Sequence, residues 1–161
     1  AIDDLGKRGE ITLIYAGGVR NGADVAKAIA LGADAISIGH SALMALNCNK
    51  NIPEANYEEE IGAEPGYCYH CHTGRCPVGI ATQDEELRKR LDPDEAAERV
   101  YNFLHTLTIE AQMFARACGK TNIHSLEPED LAALTMEASA MAGVPLAGTN
   151  HTVGIKDYHH L

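Results

Sequence analysis

The chain contains no tryptophan and two phenylalanines in 161 residues, so its apolar bulk must come from Ala, Leu, Ile and Val. A hydrophobic fraction of 45% is nevertheless ordinary for a globular protein and permits a sizeable core. Positive charge is also scarce. Thirteen Lys and Arg face 23 Asp and Glu, and the net charge of -10 argues against nucleic acid or an anionic membrane surface as the main partner. It leaves small-molecule substrates open. No apolar run approaches the length of a membrane-spanning helix, and the first residues lack the basic-then-apolar pattern of a signal peptide. There is no internal repeat. Cysteine is present but odd in number, five residues with three bunched together, which fits a reduced compartment better than a secreted disulfide framework. These features predict a soluble, acidic, cytoplasmic protein of about one domain.

The bunched cysteines are the most informative feature. In Cys68-Tyr69-His70-Cys71-His72-Thr73-Gly74-Arg75-Cys76-Pro77, thiols on one short loop can converge on a single inorganic centre, and Pro77 adds a rigid turn. Cys48 lies upstream and offers a fourth thiolate. An iron–sulfur cluster, a zinc site that draws on His70 or His72, and unligated reduced thiols all remain open from spacing alone.

The first forty residues read as a β-α-β unit. A short apolar strand over 11–16 ends at Gly17-Gly18 and should be a buried parallel strand. A helix opens at Asn21 or Gly22 and closes at Gly32, and a second strand over 35–38 stops at Gly39. From Cys48 to Gly79 periodicity disappears, and a loop of that length inside a compact domain calls for something to organise it. Helical signals resume with a capping-box pattern at Thr82-Gln83-Asp84-Glu85, then Asp92-Pro93 ahead of a helix whose apolar stripe runs from Val100 through Leu107 and Ala111 to Cys118. A last helix is expected from near Pro128 to about Met141, and the tail from 151 should fray.

Two glycine segments after successive strands form a pairing that recurs in (β/α)8 barrels. Backbone N–H groups of Gly17, Gly18, Gly39 and His40, with a short helix N-terminus, can cradle a phosphate, and Arg20 can add charge. The alternative is that these glycines merely terminate strands.

Tyr15-Ala16-Gly17-Gly18-Val19-Arg20-Asn21-Gly22-Ala23-Asp24 and Leu31-Gly32-Ala33-Asp34-Ala35-Ile36-Ser37-Ile38-Gly39 resemble the last two β/α units of the FMN-binding barrel of the glutamate synthase large subunit. Cys71-His72-Thr73-Gly74-Arg75-Cys76-Pro77-Val78-Gly79-Ile80-Ala81-Thr82-Gln83 resembles that family's cluster loop. Two independent motifs in the right order make the resemblance specific. It implies an oxidoreductase that forms glutamate from 2-oxoglutarate and glutamine-derived ammonia, with FMN held by Gly17, Gly18, Arg20, Gly39 and His40. It also implies an iron–sulfur cluster on Cys68, Cys71 and Cys76, with Cys48 as a further ligand. The stretch 68–82 is similar as well to the FMN subunit of N-methylglutamate synthase-type enzymes, which act on methylamine and glutamate. A non-catalytic electron-transfer or scaffold piece is the reading from a different class.

Two departures qualify the resemblance. In the family the first cluster ligand precedes Cys71 by six positions, where this chain has Pro65, so Cys68 or Cys48 must replace it. With four candidate thiolates, [4Fe-4S] is as admissible as [3Fe-4S]. Length is the second departure, because a barrel needs eight strands and typically about 250 residues. The expectation is an α/β chain that forms the C-terminal portion of a TIM barrel. Residues 1–47 hold the last two β/α units, 48–81 the cysteine-rich loop, 82–150 a helical extension and 151–161 a tail. A partner polypeptide or oligomer would supply the missing strands, and an electron donor would also be needed. Cys118 is expected to be core, and His105, Met113, Met136 and Met141 ordinary helix residues. Glu58 to Glu60 and His159-His160 receive no function.

Overall fold

A computed structural model describes residues 2, 4–48, 59, 62 and 67–154. Pro65, Glu58, Glu60 and His159-His160 lie outside these described residues. The chain divides into two compact units, Ala1–Ser37 with Leu107–Leu161, and Ile38–Thr106.

The first unit is organised by a β-α-β element. Strands β1 (Ile14–Ala16) and β2 (Ala35–Ser37) pair in parallel, Ile14 opposite Ala35 and Ala16 opposite Ser37, so both end on the same edge. β1 starts three residues later than its apolar run. Asp34 explains the delay: its Oδ2 accepts the Leu13 N–H at 2.7 Å, and the Leu13 carbonyl accepts the Asp34 N–H at 2.8 Å. The Leu13 N–H is thus taken by the Asp34 side chain, while its carbonyl also accepts the N–H of Ala35, the first residue of β2, at 3.3 Å. The expected burial of β1 is not found, since Ile14 is 60% and Tyr15 45% exposed. Among the described residues β2 is the only strand paired with it.

Helix α1 (Gly22–Ala30) joins the strands. Asn21 caps it, accepting the Asp24 N–H at 3.0 Å, and Gly32, at φ +104°, closes it with an N–H to the Ile29 carbonyl at 2.8 Å. Its buried face is Val25, Ala26, Ala28, Ile29 and Ala30, packed toward β2 and the 3-10 turn Ile123–Ser125. Small side chains let neighbouring backbone come close. At Gly22 a β-carbon would stand 2.6 Å from the Leu107 carbonyl oxygen and would collide with the Ala111 nitrogen.

Those neighbours belong to the long helix whose bounds are Pro93–Ala117; the six-residue helix α2 (His40–Ala45) and the one-turn helix α3 (Glu85–Arg88) precede it, so it is α4. Asp92 caps α4 by accepting the N–H groups of Asp94 and Glu95 at 3.0 and 3.1 Å, with Pro93 at the first helical position. In the first unit its buried line is Leu107, Ala111 and Ala115, four residues apart. Cys118 lies past the last helical turn and is exposed, which corrects its expected place in the core.

The helix expected from Pro128 to Met141 is two elements. A 3-10 turn, Pro128–Asp130, is closed by the Glu127 N–H on Asp130 Oδ2 at 2.9 Å, and Leu131 then extends at φ -108°, ψ 151°. Ala133 bridges Leu146, after which Thr135 caps α5 (Met136–Ala142). The fully buried Ser139 pins the following chain, donating to the Val144 carbonyl at 2.7 Å and accepting the Val153 N–H at 3.0 Å.

The second unit contains α2, the cysteine loop and α3. Asp84, not Thr82, caps α3, since its Oδ1 accepts the N–H groups of Glu86 and Leu87 at 2.9 Å. No described helix is long and apolar enough to cross a membrane.

Candidate cofactor and cluster sites

At the carboxyl end of β1 the chain turns through Gly17 and Gly18, both in the left-handed region at φ +104° and +70°. That conformation favours glycine strongly over L side chains. A β-carbon built at either position meets no atom within 4 Å, so the backbone here is open to close approach by an external group. Val19 is buried behind the turn, and Arg20 is exposed, its backbone N–H donating to Asp24 Oδ2 at 3.1 Å. The Lys27 ammonium 2.9 Å from Asp24 holds that carboxyl below its ordinary range, and the Arg20 N–H adds to the effect.

The Gly22 N–H, the first of α1, donates to Glu110 Oε2 at 2.6 Å, which places a carboxylate on the positive end of the helix. At the end of β1 the Gly17–Gly18 backbone is therefore open, while the first N–H of α1 is occupied. Beside β1 runs a cavity of about 450 Å³ lined by Leu13, Tyr15, Gly18, Asp24, Lys27 and Leu31. It follows the whole strand, is mostly apolar and contains one charged pair. This is the form of a groove left beside a strand, without convergent catalytic groups.

In the second unit Gly39 caps α2, with its carbonyl accepting the Leu43 N–H at 3.2 Å. Unlike the glycines after β1, it has an ordinary φ of -112°, and again no atom lies within 4 Å of a β-carbon built there. His40 is exposed at the first turn. Neither a left-handed φ nor a close neighbour requires glycine at 39.

None of the five cysteines is in a disulfide. Cys71 sits exposed on the 3-10 turn His70–His72, Cys68 and Cys48 are half-buried, and Cys76 is buried with Val78 against Ile80 and Ala81. Thr73 closes the turn by giving both its N–H and its hydroxyl to the His70 carbonyl, at 3.1 and 2.9 Å. Among the described residues, no three His, Cys, Asp or Glu side chains come together as a metal-holding group. The chemistry of the donor set still suits a soft metal centre, because three unpaired thiols within nine residues share an irregular loop. The open Gly17–Gly18 turn likewise suits a phosphate.

Sequence reasoning missed two groups that shape these sites, Glu110 and Thr82. Glu110 acts across 88 positions and Thr82 across eight, and neither distance leaves a local signature.

A parallel β-α-β element with glycine-ended strands, accompanied by helices, defines an α/β chain compatible with part of a (β/α)8 barrel. The profile of a conserved region in glutamate synthase matches residues 1–53 and 60–121. The chain belongs to the glutamate synthase family. A glutamate synthase large subunit-like protein of Rhizobium meliloti (strain 1021) is 55% identical over 150 residues, 93% of this chain and 34% of that protein. An archaeal glutamate synthase (NADPH) of Methanocaldococcus jannaschii is 45% identical over 121 residues, 75% of this chain and 20% of that protein. The glutamate synthase (NADH) of Schizosaccharomyces pombe is 32% identical over 125 residues, 78% of this chain and 5% of that protein. The chain thus spans at most about a third of the length of these relatives.

Proposed function

We propose that these residues form the flavin-phosphate and iron–sulfur portion of a glutamate synthase-type oxidoreductase, whose complete form makes glutamate from 2-oxoglutarate and glutamine-derived ammonia. The observation that carries this reading is the order of motifs within the family match: two glycine-ended parallel strands, then the loop from Cys68 to Gln83. Gly17, Gly18, Gly39 and His40 offer backbone N–H groups to an FMN phosphate, and Arg20 contributes positive charge. Cys68, Cys71 and Cys76 ligate the cluster, with Cys48 as a fourth thiolate if it is [4Fe-4S] rather than [3Fe-4S]. When bound, these groups supply hydride and one-electron chemistry respectively. In this reading the chain's own part is to hold them. The remaining barrel strands and the electron donor belong to the rest of the assembly. Reduced thiols suit a cytoplasmic setting.

The test is the composition of the complete protein purified without oxygen. Iron and sulfide in stoichiometric amounts, with FMN, are expected. Cys71→Ser or Cys76→Ser should abolish the cluster, and Cys118→Ser should leave it intact. One zinc per chain without iron would reject the cluster. Turnover with methylamine and glutamate, but not with 2-oxoglutarate and ammonia, would move the substrate assignment to the N-methylglutamate synthase type.

A further inference from the structure

We propose that Thr82 is a positioning residue for the cluster ligands, setting the chain between Cys71 and Cys76 through its hydroxyl. This rests on the cluster reading above. Thr82 is buried, and its hydroxyl donates to the carbonyl of Gly74, which lies midway between the two cysteines. The same oxygen accepts the Asp84 N–H at 3.1 Å, so the loop is fastened to the segment that caps α3.

The two thiols stand on very different supports. Cys76 rests on a rigid shelf: its carbonyl accepts the Gly79 N–H at 3.2 Å, and the Arg90 guanidinium donates to the Pro77 carbonyl at 2.9 Å. Gly79, at φ +83°, lies so close to α3 that a β-carbon would stand 2.5 Å from the Leu87 carbonyl oxygen. Cys71, by contrast, sits on an exposed turn. Five residue steps separate the two, which in extended chain could span up to about 17 Å. Gly74, left-handed at φ +74°, is where this stretch reverses. Holding its carbonyl fixes how far the Cys71 turn stands from the Cys76 shelf. Without the hydroxyl, the reversal loses this tie to the α3 segment, and both the Gly74 carbonyl and the Asp84 N–H lose a partner.

A threonine that only stabilised the loop would affect folding and leave a bound cluster's electronic environment unchanged. The experiment therefore compares wild type, Thr82→Val and Thr82→Ser in the complete, anaerobically purified protein. It reads iron and sulfide content, the rate of iron loss to a chelator, and the electron paramagnetic resonance spectrum. Thr82→Val keeps the shape and removes the hydroxyl. It is expected to lose iron roughly fivefold faster, the order of effect of one such hydrogen bond, with an altered spectrum. Thr82→Ser should restore both. Wild-type rate and spectrum in Thr82→Val would overturn the proposal, as would equal damage in Thr82→Ser. If Thr82→Val does not fold, Thr82→Ala, which removes the same hydroxyl with less bulk, carries the test, and wild-type rate and spectrum in it would overturn the proposal. Wild type without iron and sulfide would instead refute the cluster reading, so the two failures are told apart.

Discussion

Gly17 and Gly18 on one side, and Gly39 on the other, are glycines for different reasons. The first two occupy the left-handed region, where a side chain costs on the order of 1–3 kcal/mol whatever is bound. Gly39 does not, and a side chain there enters open space. Gly39→Val is therefore the cleaner probe of the phosphate. It should leave the thermal stability of the flavin-free protein close to wild type. It should weaken FMN at least about tenfold, or about 1.4 kcal/mol, by flavin titration of the complete assembly. His40→Ala should cost less, because the proposed contact is through backbone. Unchanged affinity in Gly39→Val would mean that this glycine only ends a strand. The cluster should survive in both variants, since its thiolates lie on a separate loop.

At the level of elements, the amino end of the β-α-β unit is held by one carboxylate. Asp34 takes both guanidinium nitrogens of Arg8 at 2.9 Å and the Leu13 N–H, while Arg8 also donates to the carbonyls of Gly32 and Ile11. The Arg8 bonds first, then the Leu13 N–H, lower the Asp34 pKa from 3.8 to about 2, with His124 adding a small favourable charge. A carboxyl whose pKa is depressed on folding stabilises the protein above its unfolded value, and that contribution fades as pH falls through the folded one. Asp34→Asn should therefore be less stable than wild type at neutral pH, and the gap should close between pH 3.8 and about 2. Denaturant melts across that range would check it, and a gap independent of pH would contradict it.

The same carboxylate shows where sequence reading stops. The order β1, α1, β2 was legible because Gly17-Gly18, Asn21, Gly32 and Gly39 punctuate it locally. The start of β1 was not, because Leu13 looks like any other strand residue until Asp34, 21 positions away, takes its N–H. Pro128 and Met141 read as one helix because a reciprocal bond between Glu127 and Asp130 closes a single turn that periodicity cannot distinguish from a longer one. Thr82 has the composition of a cap, yet Asp84 does the capping and Thr82 serves a carbonyl in the preceding loop. The cysteine spacing reads as a candidate centre, although among the described residues no three His, Cys, Asp or Glu side chains come together. Which of the cysteines stand on firm ground depended on packing around Cys76 that the sequence does not spell out.

For the molecule as a whole, the exposed faces of Ile14 and Tyr15 and the groove beside β1 are the main liability. Unpaired strand edges and apolar faces associate with whatever can cover them. Produced as these 161 residues alone, the chain should self-associate at micromolar concentration in sedimentation experiments and require partner strands for stability. A well-folded monomer under those conditions would count against a missing barrel partner. Under the proposed phosphate role of Gly17 and Gly18, the β-α-β unit also separates two kinds of work. Its amino edge carries the Arg8–Asp34 clamp, and its carboxyl edge the open glycine turn. Selection can therefore adjust durability and chemistry independently. Substitutions that reinforce the clamp can raise the melting temperature without the usual loss of activity, whereas the glycine turn has no such freedom to become more rigid.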